Sequence, residues 1–129
     1  MGQLGQTPEE VQIILENCDE KYIPLLLDVA HYHQGGGDPA KAIEQYGKRI
    51  KNLHLKDVRA VTGNANRNYQ FVELGQGTVD FPSIFKALEK NKFKGWGVVE
   101  LDGVPDPGKT PLECANISKA YLVSKGIVV

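Results

Sequence analysis

Three residues able to bind a metal ion or to move a proton stand at the ends of apolar runs in this chain: Asp28, His54 and Glu100. Because parallel β strands gather ligands and catalytic groups at their carboxyl ends, we expect the three side chains to meet at one edge of a sheet. Two carboxylates and one imidazole suit Mn²⁺, Mg²⁺, Co²⁺ or Zn²⁺. Each residue alone has an ordinary structural explanation, but the set of three predicts a divalent metal site.

Other polar residues near these positions could touch a substrate. His31 follows the first run and could reach a substrate hydroxyl, although it could equally lie on a loop surface. Lys56 and Asp57 follow the second run and could hold a substrate oxygen or orient the loop, and a local ion pair is the alternative. Three basic residues are candidate contacts for a phosphate or carboxylate group, or simply exposed loop residues: Arg59, Arg67 and Lys109.

The apolar runs predict three β strands, at residues 22–30, 50–56 and 95–101. The first run lacks the alternation of a half-exposed strand, which is typical of a strand buried on both faces of a parallel sheet. The polar stretch 57–78 is interpreted as an active-site loop, since long loops in compact domains are usually functional or disordered. Its glycine-rich segment 74–78 lacks the complete phosphate-binding motifs and predicts a tight turn.

Four helices are predicted around the strands, at residues 8–18, 38–49, 81–91 and 110–125. Two of them begin with capping boxes, which run from Thr7 to Glu10 and from Thr110 to Glu113. The alternation of helices and strands predicts an α/β fold with parallel strands and right-handed crossovers. A doubly wound sheet and a piece of a barrel both fit this order.

The length of 129 residues predicts one domain, 1–129, in which residues 1–6 precede the first helix cap as a disordered or leftover N-terminus. The formal net charge of -1, with both signs interspersed, argues against a nucleic-acid partner. The sequence contains neither a signal-peptide pattern nor an apolar run long enough for a membrane span. We therefore expect a cytoplasmic protein with no membrane partner.

Four segments together resemble the xylose isomerase-like TIM-barrel superfamily of sugar phosphate isomerases and epimerases. They are Leu27-Asp28-Val29-Ala30-His31, His54-Leu55-Lys56-Asp57, Leu74-Gly75-Gln76-Gly77-Thr78-Val79-Asp80 and Val98-Val99-Glu100-Leu101-Asp102. The segment H-L-K-D and the glycine-bounded turn are most similar to the inosose dehydratase and hydroxypyruvate isomerase branches. The resemblance covers nearly the whole chain from Thr7 onward.

The resemblance implies a divalent ion held by Glu, Asp, His and Glu at the mouth of the barrel. Asp28, His54 and Glu100 match the last three ligands, the first Glu has no match, and His31 matches a histidine that touches substrate in some members. The implied reaction is proton abstraction by Glu100 from a small sugar, sugar phosphate or keto-inositol, with the metal stabilising the enediolate oxygen. Without a second glutamate, Glu100 could deprotonate but could not complete a two-base exchange.

A barrel of this type has eight βα units and about 250 residues. The chain is therefore predicted to be a C-terminal barrel fragment that supplies strands six to eight, a partial barrel with three parallel strands and four helices that does not close by itself. Its unprotected edges and apolar sheet face predict a homo-oligomer. Three functions stay open: a fragment of a metal-dependent isomerase, epimerase or dehydratase, weak or inactive alone; a non-catalytic self-associating fragment; or a relic that binds metal or sugar without turnover.

Overall fold

The computed structural model describes residues 5–62 and 68–127. The chain packs as two compact units, one formed by Met1–His54 with Asp80–Val98 and the other by Leu55–Val79 with Val99–Val129. Each unit therefore combines two segments that are distant in the sequence, and neither is a contiguous stretch of chain. The expectation of one domain stays a prediction.

Within the described residues the chain forms five helices and five strands. They follow in the order α1 (Pro8–Asn17), β1 (Leu25–Asp28), α2 (Val29–Gln34), α3 (Pro39–Tyr46), β2 (Ile50–Leu55), β3 (Asp57–Ala60), β4 (Tyr69–Val72), α4 (Phe81–Lys90), β5 (Trp96–Val99) and α5 (Pro111–Ser124). None of the helices in the described ranges has the length and apolar character that a membrane span requires.

The main sheet has the strand order β1-β2-β5, and β1 pairs with β2 in parallel. Leu27 pairs with Leu53 in this register, and both side chains are buried. The next pair along is Asp28 with His54. Because side chains alternate between the two faces of a strand, these two polar residues lie on the face opposite the leucines. The strand register alone therefore places Asp28 beside His54.

Local side-chain caps explain where the long helices begin. The Glu10 amide donates to Thr7 Oγ1 and the Thr7 amide donates to Glu10 Oε2, both at 3.2 Å, which completes the predicted capping box. Thr110 and Glu113 repeat the arrangement at the start of α5. Of residues 1–6, residues 1–4 lie outside the described residues, while the Gln6 amide donates to Glu10 Oε2 at 3.1 Å.

The helix α2 was not predicted, and the strand predicted at 22–30 is shorter than expected. The cause is Asp28, whose Oδ1 accepts hydrogen bonds from the amides of Ala30 at 3.0 Å and His31 at 2.9 Å. An aspartate in this position caps a helix, because it satisfies amides that lack partners within the first turn. The apolar residues Val29 and Ala30 therefore start a helix and do not extend the strand.

The stretch 57–78 contains more regular structure than the predicted loop. Strands β3 and β4 pair antiparallel, with Asp57 opposite Val72 and Ala60 opposite Tyr69. The basic residue Arg67, a predicted anion contact, lies outside the described residues. The prediction of an uninterrupted active-site loop is therefore wrong for the parts of this stretch that form β3 and β4.

The fully buried carboxylate of Asp57 organises the glycine-rich turn after β4. Its Oδ2 accepts hydrogen bonds from the amides of Gly75 and Gly77, each at 2.9 Å, and its Oδ1 accepts from Val79 at 3.1 Å and Val58 at 2.8 Å. The amides that a phosphate loop would offer to a ligand are thus bonded to a carboxylate of the chain itself. This confirms the turn and removes the reason to read the segment as a phosphate site.

Replacement of Gly77 by alanine tests this arrangement. A Cβ at Gly77 would overlap both Asp57 Oδ1 and the Val58 carbonyl oxygen, whereas a Cβ at Gly103 would meet no atom within 4 Å. Overpacking of this kind costs about 1–3 kcal/mol. We expect Gly77→Ala to lower the free energy of unfolding in urea by about that amount, and the control Gly103→Ala to change it by less than about 0.5 kcal/mol. Equal effects would contradict the assignment.

Candidate metal and substrate site

Asp28 uses its two carboxylate oxygens for different purposes. Oδ1 holds the first amides of α2, as described above, which fixes the orientation of the carboxylate. Oδ2 faces two imidazoles: it lies 3.7 Å from His54 Nδ1 and 4.0 Å from His31 Nε2. The structure therefore brings three of the predicted site residues together around one oxygen atom.

The separation of Asp28 and His54 is informative in itself. At 3.7 Å the oxygen and nitrogen are further apart than a hydrogen bond requires. Oxygen and nitrogen ligands lie about 2.0–2.2 Å from a zinc ion, so two ligand atoms of one ion are at most about 4.4 Å apart. The donor types and their spacing therefore fit a divalent cation.

The second unit contains a cluster around the buried side chain of Lys56. Its Nζ lies 3.1 Å from Glu100 Oε1 and donates a hydrogen bond to Asp102 Oδ1 at 2.8 Å. The ammonium also lies 4.5 Å from the centroid of the Phe71 ring, within the range of a cation–π contact. Lys56 and Glu100, both predicted site residues, are thus in direct contact.

An open cleft of about 490 Å³ adjoins this cluster within the second unit. Its lining includes the aromatic rings of Tyr69 and Phe71 and the carboxylate of Asp102. The volume falls within the range of about 300–1,000 Å³ that small-molecule sites occupy. The cleft is therefore large enough for a sugar-sized ligand.

Two of the basic residues predicted as anion contacts, Arg59 and Lys109, form ion pairs with carboxylates of the chain. Lys109 Nζ lies 2.8 Å from Oε1 of the buried Glu73 and 3.0 Å from Asp106 Oδ2, and Arg59 lies 2.6 Å from Asp106 Oδ1. The Arg59 and Lys109 contacts lower the pKa of Asp106. Arg59 also donates to Gln70 at 2.9 Å. This network ties the loop after β5 to the β3–β4 pair.

The matching family model covers residues 1–119 and is described as a xylose isomerase-like TIM barrel. The chain belongs to this family. An inosose dehydratase from Clostridium botulinum (strain Eklund 17B / Type B) is 32% identical over 139 positions, which cover 99% of this chain. A crystal structure of a sugar phosphate isomerase/epimerase from Parabacteroides distasonis aligns with a TM-score of 0.68 at 31% identity and covers 88% of this chain.

A further solved structure is that of the IOLI protein with a bound zinc atom, which aligns at 25% identity with a TM-score of 0.66 over 92% of this chain. The chain spans only part of each relative: 46% of the dehydratase, 35% of the isomerase/epimerase and 43% of the zinc protein. These comparisons confirm the family and the fold class, a partial TIM barrel. In the described residues the strands do not form a closed barrel.

The sequence predicted Asp28, His54 and Glu100 as metal ligands, which stays a prediction, but it did not indicate that Asp102 contacts Lys56. The available signal was its position two residues after Glu100, which is the spacing that returns a side chain to the same face of an extended chain. Orientation of the loop was one of the alternatives for Asp57, and its hydrogen bonds to the turn agree with that alternative, but the sequence did not indicate which amides it contacts. The hydrogen bonds between Asp57 and the turn join residues up to 22 positions apart, so no local sequence pattern indicates them.

The buried Glu73 should cause the free energy of unfolding to decrease at acidic pH. Burial alone would raise its pKa, but hydrogen bonds from Lys109, a main-chain amide and Cys114 outweigh burial and hold the pKa below the usual 4.5. A lowered pKa in the folded state stabilises the protein above about pH 4.5, and this stabilisation is lost as the pH falls through the lowered pKa. We expect Glu73→Gln to reduce stability at pH 7 and to flatten the decline in stability as the pH falls below about 4.5.

Urea unfolding at a series of pH values measures this effect. Glu44→Gln is the matched control, because Glu44 pairs with Lys90 at 2.9 Å on the surface, where ion pairs contribute little. If the free energy of unfolding falls as steeply with decreasing pH in both variants as in the parent protein, Glu73 does not cause the loss of stability in acid.

Proposed function

We propose that this chain is part of a divalent-metal-dependent enzyme that acts on a small sugar, a sugar phosphate or a keto-inositol by proton abstraction. The proposal gives Asp28, His54 and Glu100 the role of metal ligands. The observation that carries it is the placement of Asp28 Oδ2 3.7 Å from His54 Nδ1 at the paired ends of two parallel strands. Membership of the family and the zinc bound by one similar protein support it.

Glu100 is proposed as the third ligand on the basis of its backbone contact. Its amide donates a hydrogen bond to the carbonyl of Leu55 at 3.1 Å, and Leu55 follows His54 directly in the chain. This contact with the last residue of β2, the neighbour of His54 in the chain, supports the choice of Glu100 as the third ligand. The three donors form the combination of carboxylate and imidazole that Mn²⁺, Mg²⁺, Co²⁺ and Zn²⁺ accept.

A divalent ion bound there would act as a Lewis acid toward a substrate oxygen. The residues of the chain would supply the rest of the chemistry. Glu100 would accept the proton from a carbon next to a carbonyl, which requires that the carboxylate reach the proton within hydrogen-bonding distance. His31, whose Nε2 lies 4.0 Å from Asp28 Oδ2, would contact a substrate hydroxyl. The cleft beside Tyr69 and Phe71 would receive the carbon skeleton.

The reactions of the family differ in the bases that they need. An epimerase that removes a proton from one face and returns one to the other needs two bases, whereas elimination of water needs one base and a proton donor for the leaving hydroxyl. Glu100 is proposed as a base in either case. The inosose dehydratases among the relatives make dehydration a reaction to test for the whole enzyme.

The metal site can be tested with a pair of aspartate variants. Asp28→Asn keeps a good helix cap but replaces the anionic ligand, because asparagine caps helices as well as aspartate does. We expect isothermal titration with Mn²⁺ or Zn²⁺ to show a metal affinity reduced by more than about tenfold. Loss of a residue that only orients a metal ligand already lowers the affinity by about 10–100-fold. The fold should be retained.

Asp38→Asn is the matched control. Asp38 caps α3 in the same way, through the amides of Ala40 and Lys41, but it is not among the proposed ligands. Equal metal affinity of Asp28→Asn and the parent protein would contradict the proposed site. Incubation of the metal-loaded protein with inosose, followed by mass spectrometry for the loss of one water, separates an enzyme from a relic that binds without turnover.

A second function is favoured by the exposed apolar residues of the sheet. Trp96 and Val98 in β5 are 78% and 48% exposed, and Leu26 in β1 is 46% exposed. Apolar side chains gathered on a strand at the edge of a sheet favour pairing with another chain. We propose that copies of the chain associate through β5, and a twofold dimer is the simplest closed form.

Sedimentation velocity across a dilution series tests the association. We expect a species larger than the monomer that dissociates on dilution, and Trp96→Lys should shift the equilibrium toward the monomer because it places a charge on the pairing strand. Leu112→Lys is the control, since Leu112 is 70% exposed on α5 and outside the sheet. A monomer at all concentrations, or equal effects of the two variants, would exclude association through β5.

A further inference from the structure

The side chain of Lys56 is almost completely enclosed, although it carries a charge. Only 2% of it is exposed to solvent. Burial of an ammonium group is costly unless charged or polar partners replace the water it loses. Here Asp102 Oδ1 at 2.8 Å and Glu100 Oε1 at 3.1 Å provide two negative partners, and the Phe71 ring provides an aromatic face at 4.5 Å.

Glu100 is held near Lys56 by its side chain and also by its backbone. The Glu100 amide donates to the Leu55 carbonyl at 3.1 Å, which fixes the main chain of Glu100 relative to the residue before Lys56. The Lys56 ammonium fixes the other end of the same residue, because it holds the carboxylate. A flexible glutamate side chain held at both ends has few remaining rotamers.

Asp102 has a different part in the cluster. It is more exposed than Glu100, with 48% of its side chain accessible compared with 35%, and it makes the shorter contact to the ammonium. Because two carboxylates contact the same ammonium, one can fix the position of the lysine while the lysine fixes the position of the other. Asp102 makes the shorter contact, and we assign it the first of these roles.

We propose that Lys56 is a positioning residue that orients the carboxylate of Glu100, with Asp102 as its anchor. This assignment replaces a direct contact between Lys56 and the substrate as the main role of the lysine. It rests on the proposed function, because orientation of Glu100 matters only if Glu100 binds the metal. Its consequence is that metal affinity depends on Lys56 and Asp102, although neither residue is a ligand.

Two physical effects of Lys56 on metal binding have opposite signs. Its positive charge repels a divalent cation, so a lysine that acted only through its field would weaken metal binding, and its removal would tighten it. A lysine that orients a ligand strengthens binding, and loss of such partners typically costs about 10–100-fold in affinity. The direction of the change in metal affinity therefore shows whether Lys56 orients the ligand or acts only through its charge.

The test is isothermal titration of Zn²⁺ and Co²⁺ into variants of the full chain. We expect Lys56→Met, which keeps an unbranched side chain one atom shorter and removes the charge, to weaken metal binding by about 10–100-fold. Asp102→Asn should weaken it in the same direction by a smaller factor, and the Co²⁺ absorption spectrum should change in both. Lys41→Met, at an exposed lysine paired with Asp38, is the control and should leave the affinity unchanged.

Unchanged or tighter metal binding in Lys56→Met would overturn the proposal. If that variant fails to fold, the Co²⁺ absorption spectrum of Asp102→Asn decides, because loss of the Asp102 charge weakens cation binding by itself, whereas a changed spectrum requires a changed arrangement of the ligands. Glu100→Gln separates this proposal from the proposed function: normal metal affinity in Glu100→Gln removes Glu100 as a ligand. A loss in Glu100→Gln without a loss in Lys56→Met or Asp102→Asn rejects the positioning role alone.

Discussion

The alternation of side chains along β2 is the constraint on which the candidate site depends. Leu53 and Leu55 are buried, and His54 between them points to the opposite face. One strand thus contributes to the core and to the site with consecutive residues. The parallel register with β1 then places Asp28 opposite His54. A shift of β1 by one residue against β2 would turn Asp28 toward the core and Leu27 away from it, so core packing protects the site geometry.

The sequence predicted the elements whose signals are local. Capping boxes at Thr7 and Thr110 start helices where expected, and the apolar runs became β1, β2 and β5. It failed where one residue has two competing roles. The run through Ala30 is apolar enough for a strand, but the Asp28 carboxylate bonds to the following amides, and this ends the strand. The composition of the run does not reveal which of the two outcomes is more stable.

The candidate site shows the same division between local and distant information. Residues at strand ends could be found because parallel strands place their ends at one edge. Partners from distant parts of the chain could not: Lys109 is 36 residues from Glu73, and Lys56 is 46 residues from Asp102. A buried carboxylate such as Glu73 requires a partner, but the sequence offers many lysines. Only the folded chain selects one of them.

The charges around Lys56 explain how a lysine can be buried within the second unit. Glu100 and Asp102 contribute two negative charges beside the single positive charge of Lys56. An ammonium group without such partners would be a buried uncompensated charge, which is costly because little water screens it. The two carboxylates are 35% and 48% exposed, so they stay partly hydrated and their own desolvation costs less than that of the lysine. If Glu100 binds the proposed metal ion, the ion pair that compensates the lysine also restricts the carboxylate of that ligand.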